Sequence, residues 1–350
     1  MEKLNRSIVA PLIILATIGV FYVLVVGKAF LVPLAVALMV WYIINALSRT
    51  YTRFIPFLNE PNFWTTLASV FSIGLFMYFA IDMVRSNIGD VTAAAPGYKA
   101  NLDVLTQKLV SKFGLEHTPS VNDVLGSIEI APIINKLAGS FTDMISNVFL
   151  VLFYVLFMLL EQGTFPKKIR SLFPESKRRD SITSILGHAQ SDIQTYIWIK
   201  TLTSASTGLV SYLVLLWVGV DFAGFWAFTI FLLNFIPTIG SIIATVFPAL
   251  LALIQFDTFY QCFVVLAGVG AVQVVVGNFI EPRLMGNTLN LSPFVVMMSL
   301  TLWGSIWGIA GMFLSVPITV MLLIIFAHFH ATRPIAVLLS GDGNLKFTEE

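Results

Sequence analysis

Eight stretches of this 350-residue chain contain no Asp, Glu, Lys or Arg: 7–27, 29–48, 61–81, 144–160, 201–220, 222–256, 258–280 and 284–327. A membrane helix needs about 20 apolar residues in a row. Lipid offers the backbone no hydrogen-bond partner, so segments of this kind cross it as helices; the alternation of a membrane barrel is absent. The pattern predicts an all-α polytopic membrane protein. Stretches 7–27 and 29–48, separated only by Lys28, read as a tight helical hairpin. The first follows Lys3 and Arg6 as a secretory signal would, but small residues at a cleavage site are missing and a second apolar run follows at once, so it is read as a retained span.

Two stretches are too long for one span and carry helix breakers near their middles. Stretch 222–256 has 35 residues and contains Asn234, Pro237, Gly240 and Ser241; 284–327 has 44 and contains Gly304, Gly308 and Gly311. Pro237 removes a backbone donor and disfavours helix just before it, and Gly240 supplies a flexible turn. The first arms, 222–235 with 14 residues and Pro293–Leu302 with 10, are short for a full crossing. Each stretch is therefore predicted to be a re-entrant helical hairpin; two full crossings per stretch are the rival reading. The expected architecture is about six transmembrane helices, two re-entrant hairpins and a small helical extracytoplasmic cap.

Charge sets the orientation. Basic residues cluster at Lys3 and Arg6, at Arg49 and Arg53, and in 161–200, with seven basic against four acidic; 85–143 holds five basic and six acidic. Alternate spans agree with cytoplasmic termini in a bacterial inner membrane and 85–143 outside. The expected divisions are a scaffold of three spans (1–84), the cap (85–140), a fourth span (141–160), a basic cytoplasmic linker (161–200), a transport unit (201–327) and a cytoplasmic tail (328–350). In the cap, Pro96-Gly97 reads as a turn, and Ser120 with Asp123 as a helix start. In the linker, Ile182, Ile185, Leu186, Ala189, Ile193 and Ile197 share one helical face, either lying on the inner leaflet or packed on protein. By direction of travel, span 201–220 plus its hairpin and span 258–280 plus its hairpin form an inverted repeat. That arrangement frames the substrate site of many secondary transporters.

Within that unit, Asn234 either holds a polar substrate or caps broken backbone. Gln273 lies deep in its span, and Asn278 and Glu281 share a helix face. Glu281 and Arg283 flank Pro282, either pairing as an inward gate or neutralising a helix end. Gly304, Gly308 and Gly311 line up either for close helix packing or as a tip that moves past its neighbours. Ser315, Pro317 and Thr319 read as a further break with two hydroxyls on the return arm.

Composition supports the membrane reading: 57% of residues are apolar and 11% charged, with mean hydropathy +0.88, against about 25% charged in soluble domains. A net charge of +1 gives no sign of a nucleic-acid partner. The lone Cys262 cannot form an internal disulfide, and His117, His188, His328 and His330 complete no metal-ligand spacing. No Walker, zincin or nucleophile-elbow motif occurs, so neither an enzyme nor a cofactor is expected. Intramembrane carboxylates usually mark ion pathways. Their absence from all eight stretches leaves proton coupling without a midplane carrier, and a sodium site of carbonyls and hydroxyls open.

The segments Asn234-Phe235-Ile236-Pro237-Thr238-Ile239-Gly240 and Gly277-Asn278-Phe279-Ile280-Glu281-Pro282-Arg283-Leu284-Met285-Gly286 resemble signatures of the AI-2E (autoinducer-2 exporter) family, as do Leu291-Ser292-Pro293, Trp303-Gly304, Gly308, Gly311 and Pro317. The resemblance covers the whole chain in layout. It implies a homo-oligomeric, pentameric exporter of autoinducer-2; together with the inverted repeat, the expectation is a secondary transporter in contact with membrane lipids that exports such a small polar substrate by elevator-like movement of 201–327. A sodium or lithium/proton antiporter of the same family, and a membrane scaffold that recruits partners through its cap, are the alternatives.

Overall fold

The computed structural model describes residues 6–54, 62–113, 148–256, 258–286 and 290–345. In chain order the helices are α1 (Arg6–Val26), α2 (Lys28–Phe54), α3 (Phe63–Phe113), α4 (Val148–Glu161), α5 (Phe165–Leu172), α6 (Ser176–Val218), α7 (Ala223–Leu233), α8 (Ile239–Phe256) and α9 (Phe259–Val275). A π-helical turn (Val276–Ile280), α10 (Glu281–Met285), α11 (Pro293–His328) and α12 (Arg333–Leu339) complete the order. Among the described residues there is no strand, only an isolated bridge between Leu291 and Ser340. Among the described residues, six helical segments are long and apolar enough to cross a membrane: Lys28–Arg53, Phe63–Met83, Ile182–Val218, Ile239–Phe256, Phe259–Met285 and Pro293–His328. The chain is a multi-pass, all-α membrane protein. Its contacts group it into two compact units, one of Ile43–Ser146 and Gln194–Thr288, the other of Met1–Tyr42, Asn147–Ile193 and Leu289–Glu350. The first hairpin falls in the former and the second in the latter.

The unit holding the first hairpin is built on α6, whose faces are reversed relative to a water-soluble helix. Leu202, Leu209, Val210, Leu213, Leu216 and Trp217 are exposed, whereas Lys200, Thr203, Ser204, Thr207 and Ser211 are all buried. Helices in lipid gain nothing by hiding leucine, so they associate through small and polar surfaces. Two glycines bring neighbours close: a Cβ on Gly208 would stand 2.9 Å from the Ala227 carbonyl of α7, and one on Gly268 would stand 2.7 Å from Val214 of α6. Leu215, Ile230, Ala244, Ala252, Val265 and Val269 fill the space between α6, α7, α8 and α9. Helix α3 packs along α7 and α8, with Phe76 against the rings of Phe228 and Phe231. Its first turns are joined to α2 through Ser48–Thr65 and Tyr51–Ser72 hydroxyl bonds of 2.8 Å each.

Two expectations are corrected here. The expected tight hairpin of 7–27 and 29–48 is not formed: Gly27 N–H donates to the Val23 carbonyl and Leu31 N–H to the Gly27 carbonyl, so helical bonding carries α1 into α2 with no residues left for a reversal. Pro96-Gly97 is no turn: α3 runs unbroken to Phe113. A proline inside a helix strips one carbonyl of its donor, but Pro96 lies about 20 Å beyond Met83, outside the apolar span Phe63–Met83. The linker helix runs on into its span. Residues from Ser176 to Val218 form one helix, and Ile193 and Ile197 are buried on protein rather than laid on a surface. The expected helix start at Ser120 and Asp123 lies outside the described residues.

In the other unit, α11 is two antiparallel arms. Gly308, at φ 63° and ψ −141°, is the only non-helical residue within it, a conformation open essentially to glycine alone. The arms close through the Ser299 hydroxyl, 3.0 Å from the Ser315 carbonyl and 2.6 Å from the Thr319 hydroxyl. A Cβ on Gly311 would fall 1.9 Å from the Trp303 carbonyl. The turn is thus narrower than the expected Trp303–Gly311 tip, and the first arm extends to Trp307 rather than ending at Leu302. Pro317 makes no break, since Ser315 and Thr319 on either side hold the arm to Ser299. At the turn, the Trp307 indole N–H donates to the Leu24 carbonyl at 3.0 Å, just before Gly27 separates α1 from α2. At the base, Ser292 N–H donates to the Leu339 carbonyl and Gly341 N–H to that of Asn290, so α12 ties the hairpin shut.

Candidate functional site

The first hairpin turns over Asn234–Thr238. Its incoming arm, α7, has 11 residues, about 16 Å of helix against a hydrocarbon core of about 30 Å. The left-handed conformation of the turn falls on Thr238 (φ 59°), not on Gly240. Gly240 is needed for another reason: it opens α8 so close to the end of α7 that a Cβ would lie 1.8 Å from the Leu233 carbonyl. Pro237 is half-buried at the crest, and Ser241 is half-buried one residue into α8 after Gly240.

Asn234 is 5% exposed and reaches across to α6, its Nδ2 donating to Ser204 Oγ at 3.0 Å, while its backbone N–H donates to the Ile230 carbonyl at the end of α7. The side chain thus reaches a neighbouring helix, while the backbone N–H makes the closing helical bond of α7. One turn from Ser204 on α6, about 6 Å along the axis, Lys200 pairs with Glu281 at 2.6 Å, the two side chains being 7% and 16% exposed. This corrects the expected Glu281–Arg283 pair: Arg283 is exposed, and Lys200 is the partner. A residue two places along a helix points to the opposite side, so Glu281 and Arg283 cannot face one another, while α6 brings Lys200 alongside.

Helix α9 supplies the facing wall. Val265, Val269, Gln273 and Val276 are its buried row, apolar at one end and polar at Gln273. The π-helical turn follows at once, inserting residues into the helical register just before Glu281; such turns recur at functional sites. Asn278, on that turn, is exposed and does not share the buried face with Glu281. Gly304, Gly308 and Gly311 belong to the other unit: Gly308 makes the turn, and Gly304 and Gly311 admit the opposing arm. Among the expected residues, the unit of the first hairpin brings Asn234, Gln273 and Glu281 onto buried faces and leaves Asn278 and Arg283 outside. Sequence reasoning passed over Lys200, Thr203, Ser204, Thr207 and Ser211. Their three-and-four spacing along an otherwise apolar helix was the available signal.

The base of the first hairpin is a separate polar knot. Gln255 accepts the Asp221 N–H at 2.7 Å and donates to the Gly219 carbonyl at 2.9 Å. From α3, Tyr98 donates to the Asp221 carboxylate at 3.0 Å and Asn101 to the Gln255 carbonyl at 2.9 Å. Burial, and then the bond and charge of Asp221, hold the Tyr98 phenol above the usual tyrosine range.

Residues 12–331 match the family described as AI-2E family transporter. "AI-2 transport protein TqsA" of Escherichia coli K12 is 31% identical over 337 residues, 93% of this chain and 95% of that one. A Haemophilus influenzae protein whose name proposes transport without a substrate is 33% identical over 354 residues, 98% and 97% of the two chains. YhhT of E. coli K12, also named for transport alone, is 35% identical over 222 residues, 63% and 62%. A buried polar face on a lipid-exposed helix, a hairpin whose tip bonds to that face and a match along nearly the whole length lead to one assignment: this chain belongs to the AI-2E transporter family.

Proposed function

We propose that the protein is a secondary transporter that exports a small polar signal molecule, autoinducer-2 or a close chemical relative, from the cytoplasm across the bacterial inner membrane, with both termini cytoplasmic. The observation that carries this reading is the polar face of α6: Lys200, Thr203, Ser204, Thr207 and Ser211 are buried beneath an apolar exterior, and the hairpin tip is bonded to it through Asn234. Polar groups in lipid are costly and are kept where they serve a pathway or a contact. Interrupted helices at such depth are tolerated where protein or a watery cavity surrounds them. With the basic loops inside, Lys200–Glu281 stands at the cytoplasmic end of this face and the hairpin enters from the periplasmic side, so its tip reaches to one turn short of the ion pair. A re-entrant hairpin so placed would close a passage at its inner end.

Asn234 and Gln273 would contact the substrate, the hairpin tips would alternate access, and Lys200–Glu281 would form the inward gate. Because the cell exterior dilutes the signal, export needs no coupling ion. The test is efflux of labelled autoinducer-2 from proteoliposomes: Asn234→Ala and Gln273→Ala should each slow it at least about tenfold, the loss of one hydrogen bond made in passage, without loss of folded protein. Efflux at the wild-type rate in both variants would reject the site, and no efflux by the wild-type protein would reject the substrate.

A cation/proton antiporter is the second reading, favoured by one observation, the buried Glu281 carboxylate at the end of a span. Sodium- or lithium-triggered proton movement in everted vesicles, abolished by Glu281→Gln, would establish it in place of export.

A further inference from the structure

Among the described residues, two buried polar atoms on facing helices have no hydrogen-bond partner, Ser211 Oγ of α6 and Gln273 Nε2 of α9. Ser211 is 0% exposed and Gln273 7%. Their position along the seam is fixed by the two contacts that flank it. Gly268 packs on Val214, and Glu281 pairs with Lys200, so the helices run antiparallel with these residues level. Gln273, five residues on from Gly268, therefore lies level with Leu209, between Thr207 and Ser211. An axial offset of about 3 Å separates Gln273 from Ser211.

The chemistry of the seam changes along its length. Leu215 on α6 and Val265 and Val269 on α9 belong to one apolar cluster; one turn further on, the same two rows become Ser211 and Gln273. Hydroxyls on helices commonly return their proton to the carbonyl four residues back, as Thr201, Thr207, Thr245 and Thr319 do here. Ser211 does not. A buried donor left unused loses the bonds it would make to water, and two such losses on one seam ask for a ligand. The seam offers no net charge, since Lys200 and Glu281 already neutralise each other.

We infer that Ser211 and Gln273 form a binding place for oxygen atoms of an uncharged, polyhydroxylated small molecule, with Ser211 Oγ and Gln273 Nε2 donating to its hydroxyl or carbonyl oxygens. This rests on the transport reading and adds to it a residue, Ser211, and a selection rule: oxygen-rich and neutral. Ions of either sign would meet no counter-charge there, and a deoxygenated analogue would leave a donor buried and unpaired, the situation in which polar sites discriminate most strongly.

The experiment is equilibrium binding to the purified full chain in nanodiscs. The probes are autoinducer-2, neutral four- to six-carbon polyols, their singly deoxygenated analogues, and choline and glutarate as charged controls; autoinducer-2 efflux is measured in parallel. At least one neutral polyhydroxylated probe should bind. Ser211→Ala and Gln273→Leu should each weaken it about tenfold or more and erase the preference over its deoxygenated analogue, whereas Ser211→Thr should keep that preference. A merely structural role would lower the folded fraction and leave the preference intact. Unchanged affinity and preference in both variants, binding of charged probes alone, or binding of none, each overturns the inference. If the wild type fails to carry autoinducer-2 but loses polyol binding in the variants, the substrate falls and the seam stands; if it carries autoinducer-2 with unchanged affinity in both variants, the seam falls and the transport reading stands.

Discussion

At the scale of the residue, the energetics are governed by what is buried in polar form. Lys200 and Glu281 are largely shielded by protein, and among the described residues each charge is answered by the other. Removing one partner of a buried pair typically costs about 3–5 kcal/mol, whereas replacing both by apolar groups of similar size is often neutral. Lys200→Met should therefore lower the unfolding midpoint of the detergent-solubilised protein sharply, and Lys200→Met with Glu281→Leu should recover most of it. Equal loss in the single and double variants would show that the two charges act independently. The pair was hidden from sequence reasoning because Lys200 and Glu281 are 81 residues apart and each borders a charge-free stretch, so each looked like an ordinary end of a span. Glu281 drew notice as a neighbour of Arg283, two positions away, a spacing at which helical side chains diverge.

At the scale of the element, the hairpins show how much a pattern of breakers can say. Pro237 and Gly308 marked where the chain folds back, and both folds lie at those places. The length of each turn and the reason for each glycine were not legible, because they depend on contacts between arms. Gly240 and Gly311 look like loosening residues and are instead points of closest approach. Ordinary substitutions to alanine separate the two roles. Gly311→Ala puts a methyl group within 1.9 Å of the Trp303 carbonyl and should prevent the arms of α11 from closing, read as loss of a monodisperse peak after solubilisation. Gly308→Ala meets no neighbour within 4 Å and carries only backbone strain, about 1–3 kcal/mol. It should fold with a lowered midpoint, and an unshifted midpoint would count against the turn described for it. The continuous helices α3 and α6 were missed for the complementary reason: a proline or a change of hydropathy reads as an ending in sequence, yet a helix persists wherever water or neighbouring protein serves the backbone.

At the scale of the whole molecule, the two hairpins share a design within their separate units, each tied at its base and turned at its tip. For the first, the ties are Tyr98–Asp221 and Asn101–Gln255, reaching from the far part of α3. The raised phenol of Tyr98 fixes the sign of its pH response. Tyrosine in an unfolded chain loses its proton near pH ~10, and the folded state holds that proton more tightly. The tie therefore contributes fully below about pH 10 and is lost as pH rises through the folded value. Alkaline titration of the wild type should show α3 becoming protease-sensitive beyond Met83 only above that point. Tyr98→Phe should abolish the dependence, and an identical alkaline transition in that variant would dissociate Tyr98 from it. The second hairpin is held at its tip by Trp307 and Leu24, 283 positions apart. Ribosomes add about 5–20 residues per second, so α1 waits on the order of tens of seconds before the indole that completes its end exists. Assembly of this chain is in that sense finished from the back, and nascent chains stalled short of Trp307 should present the cell's quality-control proteases with an N-terminal helix still missing its last fastening.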